Sequence, residues 1–262
     1  MIDLDNVGIK IGPKIIINDV TIEVRPGEFV GLIGPNGSGK STLLKAVYRI
    51  LRKYSGDIVI DGSELRNVSI HDSALKTSVV PQHTYSPFDF TVKEVVLMGR
   101  APHKKSMEFD NKEDYDIANE CLDKVGMRDF AERNFSTLSG GEQQRIILAR
   151  AMAQRTPCMI LDEPTNHLDI KYQLQLMDVV KSLNLTVLSA LHDLNIAAEY
   201  CDRLYMLKDG KVIRSGTPEE VLTPENIMEV YGAKAYVYRS THTGFLHIEY
   251  VSDHATHNQE AC

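Results

Sequence analysis

Gly34-Pro35-Asn36-Gly37-Ser38-Gly39-Lys40-Ser41 fits the spacing G-x-x-x-x-G-K-[ST], and it limits the fold more than any other stretch of the chain. Phe29 to Ile33, just before it, is a short apolar run that reads as a buried strand. Leu43, Leu44, Val47 and Leu51, just after it, share one face at helical spacing. A strand that runs through a glycine loop into a helix suits phosphate chemistry. Glycines let backbone N–H groups come close to phosphate oxygens, and the helix adds the positive end of its dipole. Lys40 is placed to reach β- and γ-phosphates, and the Ser41 hydroxyl to ligate Mg2+. The phosphate-binding set is therefore Gly34, Pro35, Asn36, Gly37, Ser38, Gly39, Lys40, Ser41 and Thr42. Kinases, GTPases and motor ATPases all fit this loop equally well.

Cys158-Met159-Ile160-Leu161 is a second short apolar run, and it leads directly into Asp162-Glu163. Two carboxylates at the end of a buried strand are costly unless something positive faces them. Mg2+ and a water awaiting activation meet that need, with Asp162 holding the metal through water and Glu163 polarising the attacking water. An exposed acidic loop or an acidic helix start is the competing reading of these two residues alone. The phosphate loop upstream favours the catalytic one.

The rest of the chain alternates strand and helix. Ile15 to Val24 reads as extended and Pro26-Gly27 as a turn; Ser78-Val79-Val80 is a strand stopped by Pro81. Thr91 and Glu94 have capping-box spacing and open a helix through Met98. Asp110 to Val125 places Ile117, Cys121, Leu122 and Val125 on one face, with Gly126 as its stop. Residues 85–155 thus read as mainly helical between β-rich segments, a helical subdomain inserted in an α/β core. Strands follow at 158–161, 186–191, 203–207 and 212–213, with helices at 170–183 and 195–200 between them, which implies a largely parallel sheet. Thr217-Pro218 and Thr223-Pro224 each place proline at a first helical position behind a threonine cap.

Composition removes several classes. The net charge of −7 makes non-specific nucleic-acid binding a poor fit and gives no electrostatic reason to adhere to anionic lipid. No apolar run reaches the roughly 18 residues of a membrane span, and Met1 to Lys10 does not read as a secretory signal. Cys121, Cys158, Cys201 and Cys262 form no C-x-x-C pair and read as free thiols of a cytosolic protein. His254, His257 and Cys262 in the polar tail have metal-ligand chemistry but no implied geometry, so a frayed end is the reading taken.

Leu138-Ser139-Gly140-Gly141-Glu142-Gln143-Gln144-Arg145 is a helix start in which Ser139 and Glu142 have capping-box spacing, and its paired glycines leave N–H groups open to an anion. At these residues the sequence resembles the ABC ATPase family, over roughly residues 1–230. The resemblance implies an α/β P-loop NTPase core with an N-terminal antiparallel β subdomain and the inserted helical subdomain. It implies an ATPase domain over 1–235 and a C-terminal extension over 236–262. It further implies that Ser139, Gly140, Gly141 and Glu142 contact the γ-phosphate held by a second copy of the chain, with ATP and Mg2+ between the two. Gln82 resembles the glutamine that senses Mg2+ and γ-phosphate and abuts a membrane partner. Asn166-His167-Leu168-Asp169 resembles the loop that crosses the dimer interface, and His192 the switch histidine at the γ-phosphate. The catalytic set is then Glu163, His192 and Gln82, and the metal set Ser41, Gln82 and Asp162.

One departure stands out. Family members carry an aromatic near residue 11 that stacks on adenine, but Ile11 occupies that place and no aromatic precedes Phe29. Weak discrimination between ATP and GTP is expected. Thr91 to His103, Asp193-Leu194-Asn195 and Lys208 to Lys211 resemble the siderophore, haem and vitamin B12 importer group. That resemblance implies separate integral membrane permease subunits, a periplasmic or surface substrate-binding protein acting indirectly, and a peripheral place on the cytoplasmic face of the membrane. A zinc or manganese importer subunit and a soluble non-transport ABC ATPase are the neighbouring readings. A small-molecule kinase would leave the Ser139 segment unexplained.

Overall fold

A computed structural model describes residues 1–82, 89–105, 107–166 and 168–252. The chain opens with two long strands, β1 (Ile2–Ile11) and β2 (Lys14–Val24), paired antiparallel. β3 (Phe29–Ile33) runs into the glycine loop and α1 (Lys40–Val47). β4 (Ser55–Ile60) and β5 (Ser63–Glu64) return to the first pair and complete an antiparallel sheet in the order β2-β1-β4-β5. α2 (Ile70–Lys76) leads to β6 (Thr77–Val80).

The helical insertion follows. α3 (Val92–Leu97) begins at the Thr91–Glu94 capping box and tightens into a 3-10 turn over Met98–His103. α4 (Lys112–Lys124) begins at a second box, Asn111 with Asp114, two residues later than the Asp110 start of the sequence reading, and Gly126 behind it adopts a φ of 65°. α5 (Gly140–Ala153) begins at Ser139.

The chain then returns to the sheet through β7 (Cys158–Asp162), α6 (Ile170–Ser182), β8 (Thr186–Ala190), α7 (Leu194–Tyr200), β9 (Arg203–Lys208) and β10 (Lys211–Gly216). α8 (Pro218–Val221) and α9 (Pro224–Tyr231) start at the two threonine–proline caps. A hairpin of β11 (Lys234–Arg239) and β12 (Leu246–Val251) closes the described chain.

The second sheet runs β10-β9-β3-β8-β7-β6, parallel except for β10. β3, β7 and β8 are buried at every position, as strands covered on both faces must be. Their side chains alternate between two cores. Val30, Leu32, Ile160 and Leu188 pack with Leu43 and Leu44 of α1 and with the antiparallel sheet. Phe29, Ile33, Met159 and Leu161 pack with Ile146 of α5 and Leu176 of α6.

One sequence reading needs correction. α1 ends at Val47, and Arg49 turns the chain with a φ of 66°, so Leu51 is outside the helix although it still packs against the same core. The passage expected at 235 from the ATPase domain to a C-terminal extension lies within β11, where Ala235 and, on β12, Ile248 are both buried in the core. Asn195 of α7 fixes that hairpin: its amide oxygen accepts the Ile248 N–H at 2.8 Å, and its NH2 donates to the Ile248 carbonyl at 3.2 Å. His254, His257 and Cys262 lie outside the described residues.

Candidate nucleotide site

Four neighbouring parallel strands, in the order β3-β8-β7-β6, deliver the candidate residues at their carboxyl ends. The glycine loop follows β3, His192 follows β8, Asp162 and Glu163 end β7, and Gln82 follows β6. Ala190 is the partner of both Leu32 and Asp162, so these ends sit level. Open α/β sheets bind their ligands at such strand ends.

The loop requires its glycines. Gly34 has a φ of 147°, and a Cβ there would lie 2.1 Å from the Leu207 carbonyl oxygen; Gly39 has a φ of 106°, and a Cβ there would lie 2.5 Å from Ile17 Cδ1. Lys40 is buried, and its Nζ donates to the carbonyls of Gly34 at 2.6 Å and Pro35 at 3.2 Å. Burial pushes its pKa below the usual lysine range, against the opposing pull of Glu163 and Asp162. Ser38 Oγ is buried without a partner, whereas Pro35, Asn36 and Gly37 form the more accessible tip. Ser41 and Thr42 lie half-buried in the first turn of α1, where backbone N–H groups have no earlier turn to bond.

Asp162 is fully buried. Its Oδ2 accepts the Tyr48 hydroxyl at 3.0 Å, and its Oδ1 has no partner among the described residues. An orphaned carboxylate oxygen beside the phosphate loop fits a hard cation that keeps its waters, the manner in which Mg2+ is bound. Glu163 has a φ of 54°, a conformation that costs a non-glycine residue about 1–3 kcal/mol and tends to occur at functional sites. Its Oε2 accepts Gln82 Nε2, and also Asn166 Nδ2 at 2.5 Å. Its Oε1 lies 2.5 Å from His192 Nε2.

Gln82, Asp162, Glu163, His192 and Lys40 thus gather around one centre. Ser139, Gly140, Gly141, Glu142 and Asp169 stand apart from it. Glu142 Oε2 accepts the Ser139 N–H at 2.8 Å and hydroxyl at 2.7 Å, and these bonds hold its carboxyl below the usual range. Ser139 and Gly140 are exposed, and among the described residues no hydrogen bond joins this segment to the glycine loop of the same chain. A Cβ at Gly141 would lie 3.5 Å from Leu168, so this helix tip adjoins the Asn166–Asp169 loop. Asp169 is exposed at the N-cap of α6 and caps nothing with its side chain; His167 lies outside the described residues. Ile11 is 51% exposed at the end of β1, and Ile15, on β2 across the turn, is 52% exposed.

Two contacts escaped the sequence reading. Asn166, read there only as part of an interface loop, bonds Glu163 within its own chain. Its spacing three residues after the acid is a local signal. Tyr48 on Asp162 has no local signal.

A buried loop lysine with two acids across the neighbouring strand ends defines a P-loop nucleotide hydrolase. Residues 17–166 match the ABC transporter family. The chain belongs to that family and is one of its ATPases. It is 40% identical to the petrobactin import ATP-binding protein of Bacillus anthracis, over 94% of this chain and 92% of that one. It is 38% identical to the iron(3+)-hydroxamate import ATP-binding protein of Bacillus subtilis, over 91% and 90%. Among solved structures it resembles a metal-chelate type ABC transporter in an inward-facing conformation, with a TM-score of 0.83 and 26% identity over 97% of this chain and 98% of that one. It also resembles a dimeric bacterial ABC transporter cassette, with a TM-score of 0.74 and 33% identity over 83% and 99%. Among the described residues no helix is long and apolar enough to cross a membrane.

Proposed function

We propose that this chain hydrolyses ATP to energise uptake of an iron chelate, haem or cobalamin through a separate permease, and that two copies bind two ATP molecules head to tail. The names of the relatives support the cargo class, since they include petrobactin, iron-hydroxamate, hemin and cobalamin import proteins. A substrate-binding protein outside the membrane and a place on the cytoplasmic face belong to the same reading.

In this mechanism the glycine loop and Lys40 bind the β- and γ-phosphates. Ser41, Asp162 and Gln82 would hold Mg2+, which supplies neutralisation of charge on the phosphate oxygens. Glu163 accepts a hydrogen bond from the attacking water and raises its nucleophilicity. His192 orients Glu163 and reaches the γ-phosphate. Ser139 to Glu142 of the second copy close the site from the far side, with Asp169 at the interface.

The observation that carries the two-copy reading is the exposed Ser139 helix tip, which among the described residues makes no hydrogen bond to the glycine loop of its own chain. Light scattering of Glu163→Gln with ATP tests it. A dimer is expected, and Ser139→Arg in that background is expected to remain monomeric. Monomers in the Glu163→Gln variant would overturn the reading. Affinity purification from membranes checks the permease: a multispanning protein is expected to accompany the tagged chain.

A further inference from the structure

Tyr48 has no part in the mechanism above. It forms the C-cap of α1, where its N–H bonds the Leu44 carbonyl at 2.9 Å. From Lys40 to Tyr48 the helix axis advances about 12 Å at 1.5 Å per residue. Side chains on a helix lean back toward its N-terminus. The Tyr48 hydroxyl donates to Asp162 Oδ2 at 3.0 Å. Tyr48 is half-buried and also lines an open cleft with Ile70, Met98 and Gln154. The residue therefore spans from the surface to the acid at the end of β7.

Asp162 makes this contact consequential. The residue is fully buried, and among the described residues Oδ1 has no hydrogen-bond partner. A carboxylate with no anchor can rotate about its last bond and present either oxygen. A single donor on Oδ2 removes that freedom.

We infer that Tyr48 is a positioning residue for the metal site: by holding Oδ2 it leaves Oδ1 of Asp162 as the oxygen presented to the Mg2+ hydration shell. This rests on the reading that Asp162 serves Mg2+. A purely structural hydroxyl would stabilise the fold and leave metal dependence alone, and this difference makes the inference testable.

The test is nucleotide binding, not turnover. Fluorescence titration with N-methylanthraniloyl-ATP is run on the wild type, Tyr48→Phe and Asp162→Asn, first in EDTA and then across a Mg2+ series. Binding in EDTA is expected to be alike for the wild type and Tyr48→Phe, which also reports that the loop is folded. Tyr48→Phe is expected to need about five- to tenfold more Mg2+ for half of the metal-induced tightening, the scale of one ordinary hydrogen bond. Asp162→Asn is expected to lose most of the Mg2+ response. If the Tyr48→Phe series overlays the wild type while Asp162→Asn has lost its response, Tyr48 is structural and the inference fails alone. If Asp162→Asn keeps the wild-type response, the metal reading of Asp162 fails and the inference falls with it. Should Tyr48→Phe bind poorly even in EDTA, 3-fluorotyrosine at position 48, which keeps the ring and the donor, is expected to show the wild-type Mg2+ response; a weakened response there would also overturn the inference.

Discussion

His192 Nε2 lies 2.5 Å from Glu163 Oε1, a bond that ties the end of β8 to the end of its parallel neighbour β7. Gln82, beyond β6, and Asn166 hold the other oxygen. One carboxylate therefore collects donors from three separate stretches of chain. Glutamine keeps the shape and one acceptor oxygen but lacks the charge needed to polarise water. Glu163→Gln is expected to lower ATP hydrolysis by about 100-fold or more while retaining nucleotide binding. Phosphate release measured beside equilibrium binding checks this, and near-normal turnover would refute the role of Glu163.

Ile11 and Ile15 are half-exposed at the β1–β2 turn, and neither provides an aromatic face. An aliphatic contact with a purine lacks the stacking contribution of about 1 kcal/mol, a factor of about five. GTP is expected to compete with ATP within about tenfold. Competition binding that gave a preference above about 100-fold would count against the assignment of Ile11 to the base.

In the helical insertion Arg100 Nε donates to Asp114 Oδ1 at 3.0 Å, and Lys104 Nζ lies 3.2 Å from Oδ2, with Arg100 and Asp114 both buried. Burial alone would raise the Asp114 pKa, but the Asn111 N–H, Arg100 and Lys104 prevail and hold it below the usual carboxylate value. A folded-state pKa below the unfolded one gives stability that is present above about pH 4 and is lost as the pH falls through the folded value. Asp114→Asn leaves a buried guanidinium without its counter-charge and is expected to cost about 3 kcal/mol at neutral pH. Denaturant titrations at a series of pH values should show that gap narrowing below about pH 4; a gap independent of pH would exclude the ion pair as its source.

Much of this architecture is written locally. Thr91, Ser139, Thr217 and Thr223 announce four helices by capping chemistry, and each side chain accepts the expected backbone N–H. Phe29 to Ile33 and Cys158 to Leu161 are legible because central parallel strands are apolar throughout. Other parts were legible but unread. Ile58-Val59-Ile60 before Asp61-Gly62 is a hairpin signal, and it forms β4 and β5. Ala235 and Val237 alternate with the more exposed Tyr236 and Tyr238, the pattern of β11. The Asn195 clamp on Ile248 and the Tyr48 bond to Asp162 are of another kind. They join positions 53 and 114 residues apart, and no spacing along the chain encodes such a meeting.

The ammonium of Lys40 is tethered to the carbonyls of Gly34 and Pro35, so the cradle comes with its own internal brace. In the proposed role of Lys40, an arriving triphosphate would meet a lysine already immobilised, with little side-chain entropy left to surrender on binding. Recognition at this point is an exchange of oxygens around a fixed cation. A substitution that loosens the brace would slow capture even though it touched no atom of the nucleotide.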